Sequence, residues 1–513
     1  MNILFISADQ WRGEALSALG HRNARTPNLD ALASDGVCFT RHYANASPCG
    51  PSRASLLTGL YLQNHRSARN GTPLDARFTN VALELRRGGH RPALIGYTDT
   101  SYDPRTRALD DPALKTYENP LPGFDPVLLV PEHRRPWLAH LRRLGYDMPD
   151  ERNAVGQSVT HPGREAIYRQ QPHPDAEARG PTFAPHVVKA EHSETAFVAD
   201  RALDYIESQR GRPWCLHLVF LRPHPPWVAP APWHDLVKPG DVAAPVRQAT
   251  AAAEAATHPF LAWYLAEKQR EAAALSDAHL RQLRATYFGL IAEVDHHVGR
   301  LIEHLRASGQ YDDTLIVFTA DHGEMLGDHW SLGKETVFDA AFHVPLIVRA
   351  PRRTPDTDIA RGRRVDEFTE HVDVMPTLLA LAGLRPPRAC DGHSLLPFLE
   401  GRTPERWRTA ARFEYDFRDV VSAKPEKALG LDLDACVVNM TRGRRWKYVH
   451  FAALPPLLFD LETDPGELAN LAGDPDHARQ LLAGAQDLLS WRMRHDERTL
   501  TGIQISDDGP VSR

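Results

Sequence analysis

The amino-acid sequence predicts an α/β protein: a large, mostly parallel sheet flanked by helices, with a small antiparallel α+β domain on its C-terminal side. Three observations carry this. Apolar runs recur at 3–7, 93–97, 215–220 and 314–319, and runs that are continuous rather than alternating belong to strands covered on both faces by helices. Before the last run, Tyr287, Leu290, Ile291, Val294, Val298, Leu301, Ile302 and Leu305 fall on one stripe at helical spacing, so strands alternate with helices. From about 405 the pattern changes to alternating strands at 413–417 and 446–451, with a terminal helix near 475–495. The 513 residues exceed one ordinary core, and the domains are drawn as 1–400 and 401–513.

Taken in order, the first run ends directly in Ala8-Asp9-Gln10, and ligand sites in such sheets gather beyond the carboxyl ends of strands. Residues 101–195 are rich in Pro, Arg, Asp and His with weak periodicity, which suits loops and short helices forming a wall over the sheet edge. The run at 215–220 leads into Arg222-Pro223-His224-Pro225-Pro226-Trp227, whose prolines hold the chain extended and present His224 at the sheet's carboxyl edge. The run at 314–319 leads into Ala320-Asp321-His322-Gly323-Glu324, and Lys334 follows in Ser331-Leu332-Gly333-Lys334.

Composition narrows the function. A net charge of −6 without a long Lys/Arg run lacks the basic footprint of a dedicated nucleic-acid binder. The 26 His raise the expectation of a metal or acid–base site. Five scattered Cys argue against a disulfide framework or a structural zinc site. The N-terminus has no basic flank, and no apolar run approaches the roughly 20 residues that span a bilayer. The expectation is a cytoplasmic protein without membrane or nucleic-acid partners.

The most informative segment runs from Ser47 to Gly59. Pro51 suits the first turn of a helix, Ala54 to Leu57 continue it and Gly59 can end it. Cys49 then sits at a helix N-terminus, where free N–H groups and the dipole favour an anion, and Arg53 adds a charge one turn on. Alone, Cys49 could be a buried small hydrophobe or a thiolate nucleophile, although no orienting Asn or Asp and His pair is identifiable beside it.

Cys49-Gly50-Pro51-Ser52-Arg53, followed by Ala-Ser-Leu-Leu-Thr-Gly, resembles the sulfatase signature. The resemblance implies an alkaline phosphatase/sulfatase-like fold and conversion of Cys49 to formylglycine by a formylglycine-generating enzyme. One hydroxyl of the aldehyde hydrate attacks sulfur or phosphorus, and the second expels the anion by collapsing back to the aldehyde. It also implies one divalent metal on Asp9, Gln10, Asp321 and His322. With two carboxylates and two neutral ligands that site is about neutral with a dication, and an imidazole shifts preference from Ca²⁺ toward Mn²⁺, Fe²⁺ or Zn²⁺, with Mn²⁺ expected. Arg53 and Lys334 are implied to stabilise the anion, and His224 to protonate the leaving alcohol.

The Asp-Gln and Asp-His pairs, together with 58–66, 95–98, 222–227, 413–420 and 447–456, are similar to bacterial phosphonate monoester hydrolases and their arylsulfatase relatives, over essentially the whole chain. That similarity adds Asn70 and Tyr97 to the pocket and implies an assembly built from dimers. Two departures follow. Asp99 stands where Thr is usual, and a carboxylate there disfavours dianionic phosphate monoesters more than monoanionic sulfate monoesters, phosphonate monoesters or phosphodiesters. A shorter stretch near 260–282 favours a homodimer over a tetramer. The expected activity is hydrolysis of an aryl sulfate or phosphonate monoester, with side activity on the other. The alternatives are a phosphatase or nucleotide pyrophosphatase of the same superfamily, and a non-catalytic binding protein on this scaffold.

Overall fold

β1 (Asn2–Ala8) lies at the centre of the main sheet, between β6 (Cys215–Phe220) and β7 (Thr314–Ala320), parallel to both. The register sets Ala8 opposite Phe220 and Ala320, so three strands end side by side. The computed structural model describes residues 1–130, 134–147, 185–272, 275–351, 359–507 and 509–512. With β2 (Val37–Tyr43), β4 (Pro92–Gly96), β5 (Asp125–Leu129), β8 (His343–Arg349) and β9 (Arg363–Glu370), the sheet has eight strands in the order β5-β4-β6-β1-β7-β8-β2-β9. Of these eight, only β8 runs antiparallel to its neighbours.

The two faces of β1 divide its residues as the period-2 rule requires. Leu4, Ile6 and Ala8 enter one core, and Ile3 and Phe5 the other. The first core is closed by the helix Glu194–Ser208 and by the 31-residue helix Asp277–Ala307, whose predicted stripe is buried. The second is closed by α1 (Cys49–Thr58), through Leu56 and Leu57, and by the helix Val374–Leu381. Continuous apolar strands are thus sandwiched between helices, as expected from the sequence.

In a second sheet, β10 (Ala410–Asp416), β11 (Val437–Gly443), β12 (Trp446–Phe451) and β13 (Leu457–Asp460) pair antiparallel, while β3 (Ala46–Ser47) joins β10 in parallel. Its five strands follow the order β13-β12-β11-β10-β3. The residues just before Cys49 are therefore part of this sheet. The expected alternation fails in β10, where every residue is buried. Phe413 packs on Tyr43 and Phe342, at centroid distances of 5.2 and 4.7 Å. The opposite face is covered by the C-terminal helix Ala478–Arg494, whose Asp487 pairs with Arg412 at 2.8 Å. A polar face became an interior one because charges on a neighbouring helix match it.

Of the stretch 101–195 read as a wall, residues 131–133 and 148–184 lie outside the described residues; the described remainder includes short 3-10 turns, β5 and short helices. The hairpin of β14 (Ile503–Ser506) and β15 (Gly509–Ser512) was not among the sequence expectations, although Asp508-Gly509 is a turn-forming pair. All five cysteines are free. No described helix is long and apolar enough to cross a membrane.

Trp491, 5% exposed, stands edge-on to Tyr61 at 4.7 Å and anchors the C-terminal helix. Trp491→Ala should lower the unfolding free energy by about 3 to 5 kcal/mol, the usual range for a buried aromatic. In urea denaturation, Leu489→Ala on the exposed face of the same helix should stay within about 0.5 kcal/mol of wild type. Equal losses in the two variants would contradict this packing.

Candidate active site

The turns leaving β1, β4, β6 and β7 emerge at one edge of the sheet, where a ligand site is expected. At the end of β1, Asp9 is tied through its N–H to Phe220 (2.9 Å), and Gln10 adopts φ +70°, a conformation costly for a residue with a Cβ. Gln10 is held there by its N–H on Asp321 Oδ1 (3.0 Å) and by Tyr287 Oη donating to its carbonyl (2.8 Å).

α1 begins at Cys49, has Pro51 in its first turn and ends on Gly59 at φ +69°, as its sequence predicts. Asn70 Oδ1 accepts the Gly50 N–H at 2.8 Å, so Asn70 fixes the first turn of the helix that begins at Cys49. A Cβ at position 50 would stand 3.0 Å from that oxygen and 3.3 Å from the Asp99 carbonyl, which is why glycine follows Cys49. Ser47 Oγ donates to the Lys334 carbonyl at 2.7 Å, joining the same segment to the loop beyond β7.

Around Cys49, the ligand atoms of Asp9, Cys49, Asp321 and His322 all lie within 4.8 Å of one another and are buried. His322 Nε2 is 3.2 Å from Cys49 Sγ, 3.6 Å from Asp9 Oδ1 and 3.5 Å from Asp321 Oδ2. A carbonyl can only accept, so His322 Nδ1 donates to Gly323 (3.0 Å) and the Nε2 lone pair points into the cluster. Asp9 Oδ1 is buried with no hydrogen-bond partner among the described residues. Burial holds His322 below the usual imidazole value, leaving it neutral, as a ligand must be. Two carboxylates, one of them with an orphaned oxygen, and a neutral imidazole aimed at the same point fit a divalent cation.

The sequence showed no His beside Cys49; the structure places His322 there. It does not make a thiolate pair, because burial, and then Asp9, push the Cys49 thiol well above its usual value. Reactive thiolates sit in electropositive surroundings, and this one is ringed by carboxylates.

Arg53 is committed differently from the sequence expectation. Its Nη2 lies 3.0 Å from Asp9 Oδ2 and 2.9 Å from Asp321 Oδ2, its Nε lies 3.0 Å from Asp321 Oδ2 and 3.3 Å from Asp99 Oδ2, and its Nη1 donates to the Tyr97 carbonyl at 3.2 Å. The guanidinium is thus engaged with protein oxygens on every nitrogen. Asp99, at φ +49°, is a buried partner of Arg53. Tyr97 lies under the guanidinium, 4.4 Å from ring centroid to Cζ, and donates to Asp9 Oδ2 at 2.6 Å. Although burial pushes Asp321 upward, the Arg53 guanidinium and the Gln10 N–H hold it below the ordinary carboxylate value.

Lys334 Nζ donates to Gln10 Oε1 at 2.8 Å, while Gln10 Nε2 donates to Glu324. His224 is half-buried, and its Nδ1 donates to the Pro225 carbonyl at 2.7 Å, leaving Nε2 as the unprotonated nitrogen. Burial holds His224 well below its usual value. Two functional neighbours escaped the sequence reading. Glu324 is fully buried against Gln10, and His371 donates Nε2 to the Ala320 carbonyl (2.9 Å) beneath the site while lying 3.2 Å from Ser52 Oγ. Glu324 stood in the Asp-His-Gly-Glu string and could have been found there; nothing local marks His371.

The sulfatase family model matches residues 1–384, and the C-terminal model of N-sulphoglucosamine sulphohydrolase matches 327–492. The chain belongs to the sulfatase family, hydrolases of sulfate and phosphonate esters. It is 41% identical to the multifunctional alkaline phosphatase superfamily protein PehA of Trinickia caryophylli, covering 100% of this chain and 99% of that one. Among solved structures, the phosphonate monoester hydrolase of Agrobacterium radiobacter superposes with a TM-score of 0.92 at 45% identity, covering 100% of this chain and 99% of its own. That of Silicibacter pomeroyi gives 0.91 at 42%, with the same coverage.

Arg53→Met should leave the buried carboxylates without their counterion and lower the stability of the metal-free protein by about 3 to 5 kcal/mol. Chemical denaturation in a chelator checks this; a loss below about 1 kcal/mol, the range of an exposed pair, would show the guanidinium to be dispensable.

Proposed function

We propose that the protein is a metal- and formylglycine-dependent hydrolase of monoanionic esters, aryl sulfate monoesters or phosphonate monoesters, with phosphodiesters as a side activity. The observation that carries this reading is Cys49 at the start of a buried helix, facing Asp9, Asp321 and His322. Asp9, Gln10, Asp321 and His322 would hold a dication, which would supply Lewis-acid polarisation of an ester oxygen and a lower pKa for the nucleophile. Mn²⁺ suits the imidazole among oxygen ligands.

The chain's own groups then divide the work. Asn70 fixes the turn that carries position 49. Arg53 and Tyr97 hold the ligand carboxylates in place rather than touching substrate. Lys334 stabilises the anion, and His224 transfers a proton to the leaving oxygen. His224 is neutral in the free protein, so its acid form grows as pH falls.

Charge selects the substrate class. Asp9, Asp99, Asp321 and Glu324 against Arg53 and Lys334 leave two net negative formal charges. A dication would cancel them, so a dianion would bring twice the excess negative charge that a monoanion brings. This favours sulfate, phosphonate monoester and phosphodiester groups over phosphate monoesters. The reading extends to a homodimer, to maturation by a formylglycine-generating enzyme, to a cytoplasmic location, and to domains of 1–400 and 401–513. Similarity to the solved phosphonate monoester hydrolases supports the substrate class.

Protein from its native host, digested without alkylation and treated with a hydrazide, should carry the aldehyde adduct on the Cys49 peptide. A free thiol there would remove this mechanism and favour a binding protein. Cys49→Ala and Asp321→Ala should abolish turnover in steady-state assays. His224→Ala should lose most with poor leaving groups and least with nitrophenol, and the wild-type kcat/KM for poor leaving groups should rise as pH falls relative to that for nitrophenyl esters. Equal losses across leaving groups would exclude the proton-transfer role.

A further inference from the structure

Gln10 is a neutral side chain between Asp9 and the candidate metal centre's other residues, and the structure supplies a reason. Its side-chain amide lies between two groups of opposite hydrogen-bonding character. Lys334 Nζ, which can only donate, reaches Gln10 Oε1 at 2.8 Å, and the carboxylate of Glu324 receives Gln10 Nε2. Glu324 is itself fixed: Oε1 accepts the N–H groups of Leu326 (2.9 Å) and Gly333 (2.6 Å), and only Oε2 faces Gln10. Every one of these contacts is made to an acceptor, which is what a carboxylate offers. The amide therefore has one allowed orientation, with its oxygen toward Lys334 and away from Glu324.

We propose that Glu324 is a positioning residue that dictates both the orientation and the neutral identity of the side chain at position 10, and through it the cation the site prefers. The proposal rests on the reading of Gln10 as a metal ligand. An acid at position 10 would set two carboxyl groups against each other out of water, where one of them must give up its charge and hold a proton. An amide at position 324 removes that conflict. Its oxygen keeps the two backbone N–H groups, and its nitrogen donates to an acid at position 10. The amide and the acid of this pair can thus exchange places, through Q10E and E324Q together, with the same number of hydrogen bonds. The exchange moves one negative charge from behind the ligand shell into it. Three carboxylate ligands suit a hard, oxygen-seeking cation such as Ca²⁺ better than two do.

The test uses the full-length protein, stripped of metal and titrated separately with Mn²⁺ and Ca²⁺, followed by calorimetry and by the shift in thermal midpoint. Glu324→Gln and Gln10→Glu should each weaken Mn²⁺ binding by roughly 10- to 100-fold, the range for outer-shell partners of metal ligands. The double variant Q10E/E324Q should bind at least about tenfold more tightly than the product of the two single losses, as residues in one hydrogen-bond network couple. Its ratio of Mn²⁺ to Ca²⁺ affinity should fall below that of wild type. Losses that simply multiply, with an unchanged ratio, would overturn the proposal. If Gln10→Glu does not fold, the comparison of Glu324→Gln with the double variant decides: tighter binding by the double variant supports the assignment, and equal or weaker binding overturns it. Wild-type protein that takes up neither cation would fail at the earlier step and overturn the metal reading as well. The metal-free thermal midpoints separate these outcomes from a general loss of stability, which would lower them in every variant without restoring binding in the double one.

Discussion

One guanidinium shared among three buried carboxylates is the interaction on which the rest of the site depends. Asp9, Asp99 and Asp321 come from the ends of three different strands, and Arg53 comes from a helix. Without a counterion, carboxylates brought together out of water would repel one another and draw protons until neutral. Arg53 permits them to converge as anions, and its planar fork with Nε, Nη1 and Nη2 all engaged fixes their directions. The stacked ring of Tyr97 closes the remaining side. The ordering of strands β4, β1 and β7 in the sheet thus has an electrostatic counterpart at their ends.

The second sheet is part of the same construction. β3 carries the chain from the main sheet into the edge of β10, and two residues later α1 begins at Cys49. From the other direction, Ser47 Oγ binds the carbonyl of Lys334, which in turn reaches Gln10. The nucleophile position is therefore referenced at once to the small sheet, to the loop after β7 and to the turn after β1. Such cross-bracing keeps a site within a few tenths of an ångström of its working geometry.

Much of this was legible in the sequence because its signals are local. A buried strand announces itself by a continuous apolar run, and β1, β4, β6 and β7 lie where those runs are. Helix α1 follows from Pro51 and Gly59. The candidate ligands could be named because the resemblance to sulfatases points to them, and each stands directly past such a strand. What could not be read depends on distance along the chain. The partners of Arg53 lie 44, 46 and 268 residues from it, and no spacing rule connects them. The burial of β10 depends on charges of a helix some 70 residues later, so its polar positions looked solvent-facing. His371 acts on the Ala320 carbonyl and lies beside Ser52, contacts that leave no mark in composition or period.

The pairing of β3 with β10 also imposes an order of events on synthesis. Ala46 and Ser47 pair with Glu414 and Tyr415, which lie 368 residues further along the chain and are made long after them. In the folded protein Cys49 is enclosed at 3% exposure. The strand that β3 joins is therefore supplied late, and the enclosure of Cys49 belongs to the finished fold rather than to its own local segment.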